Sequence, residues 1–301
     1  MISNSFKRLI ATVMVVAVTL PGGLPAAEGI ATPTTLPKKT LSAAQARLMG
    51  SSKGGWLYLD AITHLTPEAA KGLATFSGSV LSLNGLQTLT PETARHLARY
   101  SGSWLELNGL EHLSEASITA LSSFQGEWLL LSGLTDPSVR EAAALARFKG
   151  TGITLHQIKS LSPSAAKELT AFGGDELSLL GLESLSLKSA HALSEFKGSR
   201  LTLSNLPSLS ERSAGALAGF SGRALEIKGL GTITPQSSRQ LATFSGDMLS
   251  LENMAALSPL AARALSSFPG HWLNLKGVAS LSNKAIHELS THFRGSRLDL
   301  P

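Results

Sequence analysis

Four tryptophans carry the side chains best suited to recognition in this chain, and all four fall in one column of a 24-residue spacing: Trp56, Trp104, Trp128 and Trp272. Trp104 and Trp128 stand one period apart, with Glu106, Asn108, Leu130 and Ser132 beside them, and Tyr58 lies two residues after Trp56. Aromatic rings on an open wall are anchors for a protein partner, because interface energy concentrates in Trp, Tyr and Arg. They can also stack on sugar faces. Equally, the rings can shield the turn before each strand and stack on one another. The spacing leaves these uses open.

Other reactive groups point away from catalysis. The eight histidines scatter over several columns, and His64 and His112 share one only at twice the period. At roughly 4.8 Å per stacked strand that is about 10 Å, too far for one metal. Asp60 and Glu106 lie in different columns two rows apart, which makes no acid/base pair. There is no phosphate loop, nucleophile elbow or His-Glu-x-x-His run. Without Cys there is no thiolate nucleophile, disulfide or zinc-thiolate site. Neither catalytic residues, cofactor nor metal is expected.

The elements that position these columns repeat. WLYLDAITHLTPEAAKGLATFSG, from Trp56 to Gly78, returns as VLSLNGLQTLTPETARHLARYSG and then as WLELNGLEHLSEASITALSSFQG, ten times in all. A fixed period in this range means one supersecondary unit stacked many times. Leu57 and Leu59 alternate with Trp56, Tyr58 and Asp60, the period of a short strand. The Ala61 column is rich in Gly and Asn and suits a left-handed turn. Thr66 heads a column of Ser or Thr in every unit, followed by Pro in five, which reads as a helix start. Ala70, Leu73 and Phe76 then share a helical face. Nine of the ten Phe lie in the Phe76 column, which Tyr100 completes. Gly78 and its equivalents are expected at helix C-termini with φ > 0. The register slips once, by one residue, between Leu289 and Phe293.

Each unit is therefore strand, turn, helix, turn. Strands stack in parallel at roughly 4.8 Å and helices are about 10 Å across, so the sheet takes the concave side. A three-sided β-helix has rungs of similar length, but the Ala-x-x-Leu-x-x-Phe helix signature argues against it.

The remainder of the chain is short. Residues 1–27 read as a secretory signal, with an uncleaved membrane anchor as the alternative: Lys7 and Arg8 precede an apolar run from Leu9 to Leu20, and PGGLPAA follows. Residues 28–40 read as a linker. Residues 41–55 match the helical half of a unit and read as an N-terminal cap. Ten repeats and a terminal strand fill 56–301. Net charge is +5, or +3 once Lys7 and Arg8 leave (26−2 against 21), and the bases are dispersed, so nucleic acid is not the expected partner. The later strands carry Glu176, Arg200, Glu226, Lys228, Glu252 and Lys276, opposite signs in adjacent rows. Such pairs form a solvated ladder, or a charge-steered surface.

The Leu-x-Leu strand with its following aliphatics resembles the leucine-rich repeat family over residues 41 to 300, and is most similar to short-period arrays of exported bacterial proteins. The family's asparagine, five residues after the first strand leucine, is replaced by Ile62, Leu86, Leu110, Leu134 and Ile158, so its asparagine ladder is expected to be absent. The resemblance implies non-enzymatic binding, usually of a protein, on the concave sheet. The expectation is thus an α/β solenoid, secreted or held in the periplasm or cell envelope. Its binding residues would be Tyr58, Trp104, Glu106, Asn108, Trp128 and Leu130. A glycan-binding module and a self-assembling protein, joined through the strand ending at Pro301, are the alternatives.

Overall fold

The computed structural model describes residues 40–301; the signal and nearly all of the linker expected from the sequence lie outside the described residues. The described chain climbs through strands β1 (Trp56–Tyr58), β2 (Val80–Ser82), β3 (Trp104–Glu106), β4 (Trp128–Leu130), β5 (Gly152–Leu155) and β6 (Glu176–Leu179). It continues through β7 (Arg200–Ser204), β8 (Ala224–Lys228), β9 (Met248–Ser250), β10 (Ala256–Leu257), β11 (Trp272–Asn274), β12 (Ser280–Leu281) and β13 (Arg297–Asp299). Eleven of these pair in parallel, each with the strand of the next repeat, into one sheet; β10 and β12 form a small second one. The register advances by one repeat per strand, Trp56 opposite Val80 and Trp104 opposite Trp128. A short helix follows each described rung but the last, and another, Ala43–Gly50, precedes the first. No described helix is long and apolar enough to cross a membrane.

The helices begin where the hydroxyl column falls. Ser42, Thr66, Thr90 and their equivalents are extended, and each accepts the N–H of the third helical residue. Pro67, Pro91, Pro163, Pro235 and Pro259 occupy the first helical turn, where no N–H is needed. The third residue supplies a contact between repeats. Where it is Ser, its hydroxyl donates to a carbonyl 28 residues earlier: Ser117 to Leu89 at 2.8 Å, Ser189 to Leu161 at 2.7 Å and Ser237 to Leu209 at 2.9 Å.

Between sheet and helices lies a continuous core of leucines and one file of rings. Phe76, Tyr100, Phe124 and so on to Phe293 stack near-parallel, with centroids 6.0 to 6.5 Å apart. The rings up to Phe268 are fully buried. Tyr100, the one phenol in the file, donates its hydroxyl to the Gly78 carbonyl at 2.8 Å. Burial pushes that hydroxyl above the usual phenol range.

This file corrects the reading of the Gly78 column. None of those glycines has positive φ; the helix ends earlier, at right-handed residues such as Ala74 and Ala98. Gly is required there by space. A Cβ on Gly78 would lie under 3.0 Å from the Phe76 ring and from the Gly54 carbonyl, and Gly126, Gly174 and Gly222 repeat the arrangement. Every ring thus sits on the glycine two residues after it.

Candidate functional site

Three side-chain columns of the strands face away from the helices, and they differ in exposure. In the first, Trp56 is 58 % exposed, whereas Trp104, Trp128 and Trp272 are half-buried. The Trp104 and Trp128 rings stack on each other at 5.2 Å and 17°. The Trp128 ring also fills the place of a side chain at Gly152, where a Cβ would clash with it. Packing therefore engages both rings, and fewer faces are left for a sugar. Trp272 is engaged differently: its Nε1 donates to Asp299 at 3.2 Å, and the Arg297 guanidinium lies 4.0 Å over its ring.

In the second column Tyr58 is 61 % exposed and Glu106 half-buried, but Leu130 is only 3 % exposed. Leu130 is thus not the open side chain expected from strand alternation. It stands opposite Glu106 on one side and Thr154 on the other, and rungs about 4.8 Å apart let such neighbours cover it. Ser82, Thr154, Ser178, Thr202 and Ser250 are buried for the same reason. Tyr58 escapes because β1 is the edge of the sheet and has a neighbour on one side only.

The third column holds a ladder that the sequence reading placed nowhere. Asp60 Oδ1 accepts the N–H of Asn84 at 2.9 Å, Asn84 Oδ1 that of Asn108 at 3.0 Å, and Asn108 Oδ1 that of Ser132 at 2.9 Å. The family ladder is absent at Ile62 and its equivalents, as expected, but its work is done two residues earlier over the first four rungs. Asp60 Oδ1 also accepts from Ser82 at 2.7 Å, and the Asn84 amide donates to Ser82 at 2.7 Å and to Glu106 Oε2 at 3.2 Å. The ladder ends at Ser132, whose buried Oγ has no hydrogen-bond partner; nor has the buried Nε2 of His156, one rung on. Burial holds His156 below the usual imidazole range.

Charges divide the face in two. From β6 onward they interlock. Arg200 pairs with Glu176 at 3.4 Å and with Glu226, and Lys228 bridges Glu226 at 2.9 Å and Glu252 at 3.6 Å. Lys276 and Arg297 close on Asp299 at 3.5 and 2.8 Å. Burial pushes Glu176 above the usual carboxylate range, against the pull of Arg200, while the Arg297 hydrogen bond holds Asp299 below it. The expected ladder of opposite signs is present, and it is partly desolvated: Glu226 is 7 % exposed. On β1–β4, by contrast, Asp60 and Glu106 form no ion pair with any described residue. Both carboxylates act on Tyr58, its hydroxyl raised above the usual phenol range by desolvation, then by Glu106 and Asp60. Among the described residues no three His, Asp or Glu converge as a metal site.

No protein-family model matches the chain, and no curated protein matches it. Solved structures do. TLR13 in its complex with ssRNA13 is similar at 19 % identity over 81 % of this chain and 37 % of that one, with a TM-score of 0.51. A leucine-rich-repeat protein of Leptospira interrogans aligns at 17 % identity over 79 % of this chain and 64 % of its own, TM-score 0.41. Toll of Drosophila, in its complex with Spatzle, aligns at 13 % over 80 % and 37 %, TM-score 0.41. The chain therefore spans less than two thirds of the length of each. What the first likeness adds to the strand-and-helix repeat is the fold: this is a leucine-rich-repeat solenoid, with a parallel sheet on one side and short helices on the other.

Proposed function

We propose that the chain is an exported, non-enzymatic scaffold that holds a protein partner on the concave sheet over its first rungs. The observation that carries this reading is the pair Trp56 and Tyr58. They are the exposed large apolar side chains of the sheet face among the described residues, 58 % and 61 % open on one strand. Exposed Trp and Tyr are the side chains in which interface energy concentrates. Asn84 and Asn108 set a half-buried polar border beside them. Trp104 and Trp128 continue the first column two and three rungs on, stacked on each other, and Leu130 is buried in the second column. Export rests on Lys7, Arg8 and the apolar run to Leu20. The solenoid fold hosts binding far more readily than catalysis, and the face holds no nucleophile–base–orienter set.

The test is crosslinking capture from envelope and culture extracts with the wild-type chain, a Trp56→Ala/Tyr58→Ala variant and a Leu260→Ala control. Leu260 is 72 % exposed on a helix. A protein held by wild type and control but lost by the double variant is the expected result. Equal retention by all three overturns the reading.

A further inference from the structure

The two ends of the sheet carry the same types of group, a Trp in the first column and a carboxylate in the second (Glu106 at one end, Asp299 at the other), with Asp60 added in the third, and one end shows what they hold. On the last two rungs, Trp272 offers a ring face and Asp299 a carboxylate, and the guanidinium of Arg297 occupies both. It lies 4.0 Å over the ring and 2.8 Å from the carboxylate, and Trp272 Nε1 steadies that carboxylate from the side. On the first rungs the ring faces are Trp56 and Tyr58, and the carboxylates are Asp60 and Glu106. There no described cation fills the place, although the chain as a whole is +5.

The charge at Asp60 is not required by the fold. Asn84 and Asn108 take the same place in the next two rungs and pass the ladder on with a neutral amide oxygen. Asp60 uses one oxygen, Oδ1, for its ladder bonds, and Glu106 one, Oε2, for Asn84. Among the described residues the second oxygen of each accepts no hydrogen bond. A carboxylate with a free oxygen beside an open aromatic face attracts a cation twice, by its charge and by the ring quadrupole.

Resting on the sheet-face function above, we infer that the first rungs take an arginine side chain presented by the partner protein, the guanidinium lying on the Trp56/Tyr58 rings with Asp60 and Glu106 as its counter-charges. Arginine fits better than lysine because a planar fork can lie on a ring and reach a carboxylate at once, as Arg297 does.

The probe is a capped tetra-arginine peptide, titrated against the full chain by tryptophan fluorescence, with tetra-lysine in parallel. The variants are Asp60→Asn/Glu106→Gln, which keeps the ladder acceptors, and Asp247→Asn, which removes a carboxylate already paired with Arg223 at 2.9 Å. Saturable binding of tetra-arginine, tighter than tetra-lysine, is expected. It should weaken about fivefold to tenfold in the first variant, the scale of two exposed charge–cation contacts, and be unchanged in the second. Absent saturation, or equal affinity in wild type and both variants, overturns the inference. The two levels separate in the capture experiment. A partner lost by Trp56→Ala/Tyr58→Ala yet indifferent to Asp60→Asn/Glu106→Gln and to competing tetra-arginine keeps the sheet-face function and removes only the arginine. A partner retained by the aromatic variant removes the function itself.

Discussion

The first four rungs and the later ones have the same leucines and the same file of rings, yet they leave the strand by different turns. In the first, the N–H of Ile62, Leu86, Leu110 and Leu134 folds back onto Leu59, Leu83, Leu107 and Leu131 at 3.0 to 3.3 Å. The next rung is then tied on by a side chain, Asp60 or Asn. In the later rungs Asn205, Gly229, Asn253 and Gly277 adopt the left-handed region, with φ of 66, 76, 59 and 71°, and the Gly277 rung alone among these four keeps the fold-back bond, Val278 to Leu275 at 3.4 Å. The N–H groups of Asn205, Gly229 and Asn253 reach the Lys228, Glu252 and Lys276 carbonyls directly, at 3.1, 2.8 and 2.9 Å. Backbone has taken over from side chain. The later solution also lengthens β7 and β8 to five residues and surrounds them with charges that satisfy each other. The earlier one leaves a face with rings and carboxylates still open. One repeat therefore serves two purposes, and the difference is written in the column that follows the strand.

The sharpest way to break this comparison is a methyl group at that column. Gly109→Ala places a Cβ under 3.0 Å from the backbone carbonyls of Asn84 and Leu86. It is expected to cost about 3 kcal/mol by overpacking. Gly229→Ala has open space around it, its nearest neighbour 3.6 Å away, but must hold φ near +76°. The cost there is about 1–2 kcal/mol. Urea unfolding of both checks the order; equal losses would mean that one turn geometry serves throughout.

A smaller contrast lies in the asparagines. Asn84→Gly removes the acceptor for Asn108 and the donors to Ser82 and Glu106, at roughly 1–2 kcal/mol. Asn205→Gly loses an exposed bond to the Leu180 carbonyl but relieves a positive φ, so stability should move by under about 0.5 kcal/mol. Thermal midpoints of the two variants decide whether the ladder or the turn carries the rung.

The smallest effect is in the sign of pH dependence. Glu176 is raised above its ordinary value of 4.5, so its ionisation opposes folding at neutral pH. That opposition fades as pH falls through the raised value. Asp299 is lowered from 3.8. Its stabilisation is complete above that value and is lost as pH falls through the lowered one. Glu176→Gln and Asp299→Asn should therefore change the slope of stability against pH in opposite directions. Each shifts it by roughly a few tenths of a kcal/mol, measurable as melting temperature across the acidic range.

Much of this was legible in the sequence because it depends on spacing. The unit, its strand, the hydroxyl at Thr66 and its equivalents, the prolines and the Phe76 file each follow from one residue type at a fixed interval. What was missed depends on neighbours one rung away. Gly78 reads as a left-handed glycine until the Phe76 ring is seen above it. Leu130 reads as exposed until Glu106 and Thr154 are seen on either side. The ladder could have been found: Asp60, Asn84 and Asn108 stand one period apart, and only the expectation of asparagine two residues later hid them. The hydroxyls of Ser117, Ser189 and Ser237 were readable in the same way, as small donors in the third helical position. The pairing of Arg297 with Trp272 was not, since it needs two adjacent rungs and a side-chain rotamer.

The file of rings also acts as a gauge. Its members repeat at about 6.1 Å along most of their length, whereas strands repeat at about 4.8 Å. The mismatch of roughly 1.3 Å per step has to be taken up as bend. Aperture on the open side is thus dialled from the dry interior, by side chains no partner ever touches. Exchanging a phenyl ring for a smaller side chain would relax that bend and widen the opening, altering the fit of a bound surface without changing one of its contacts.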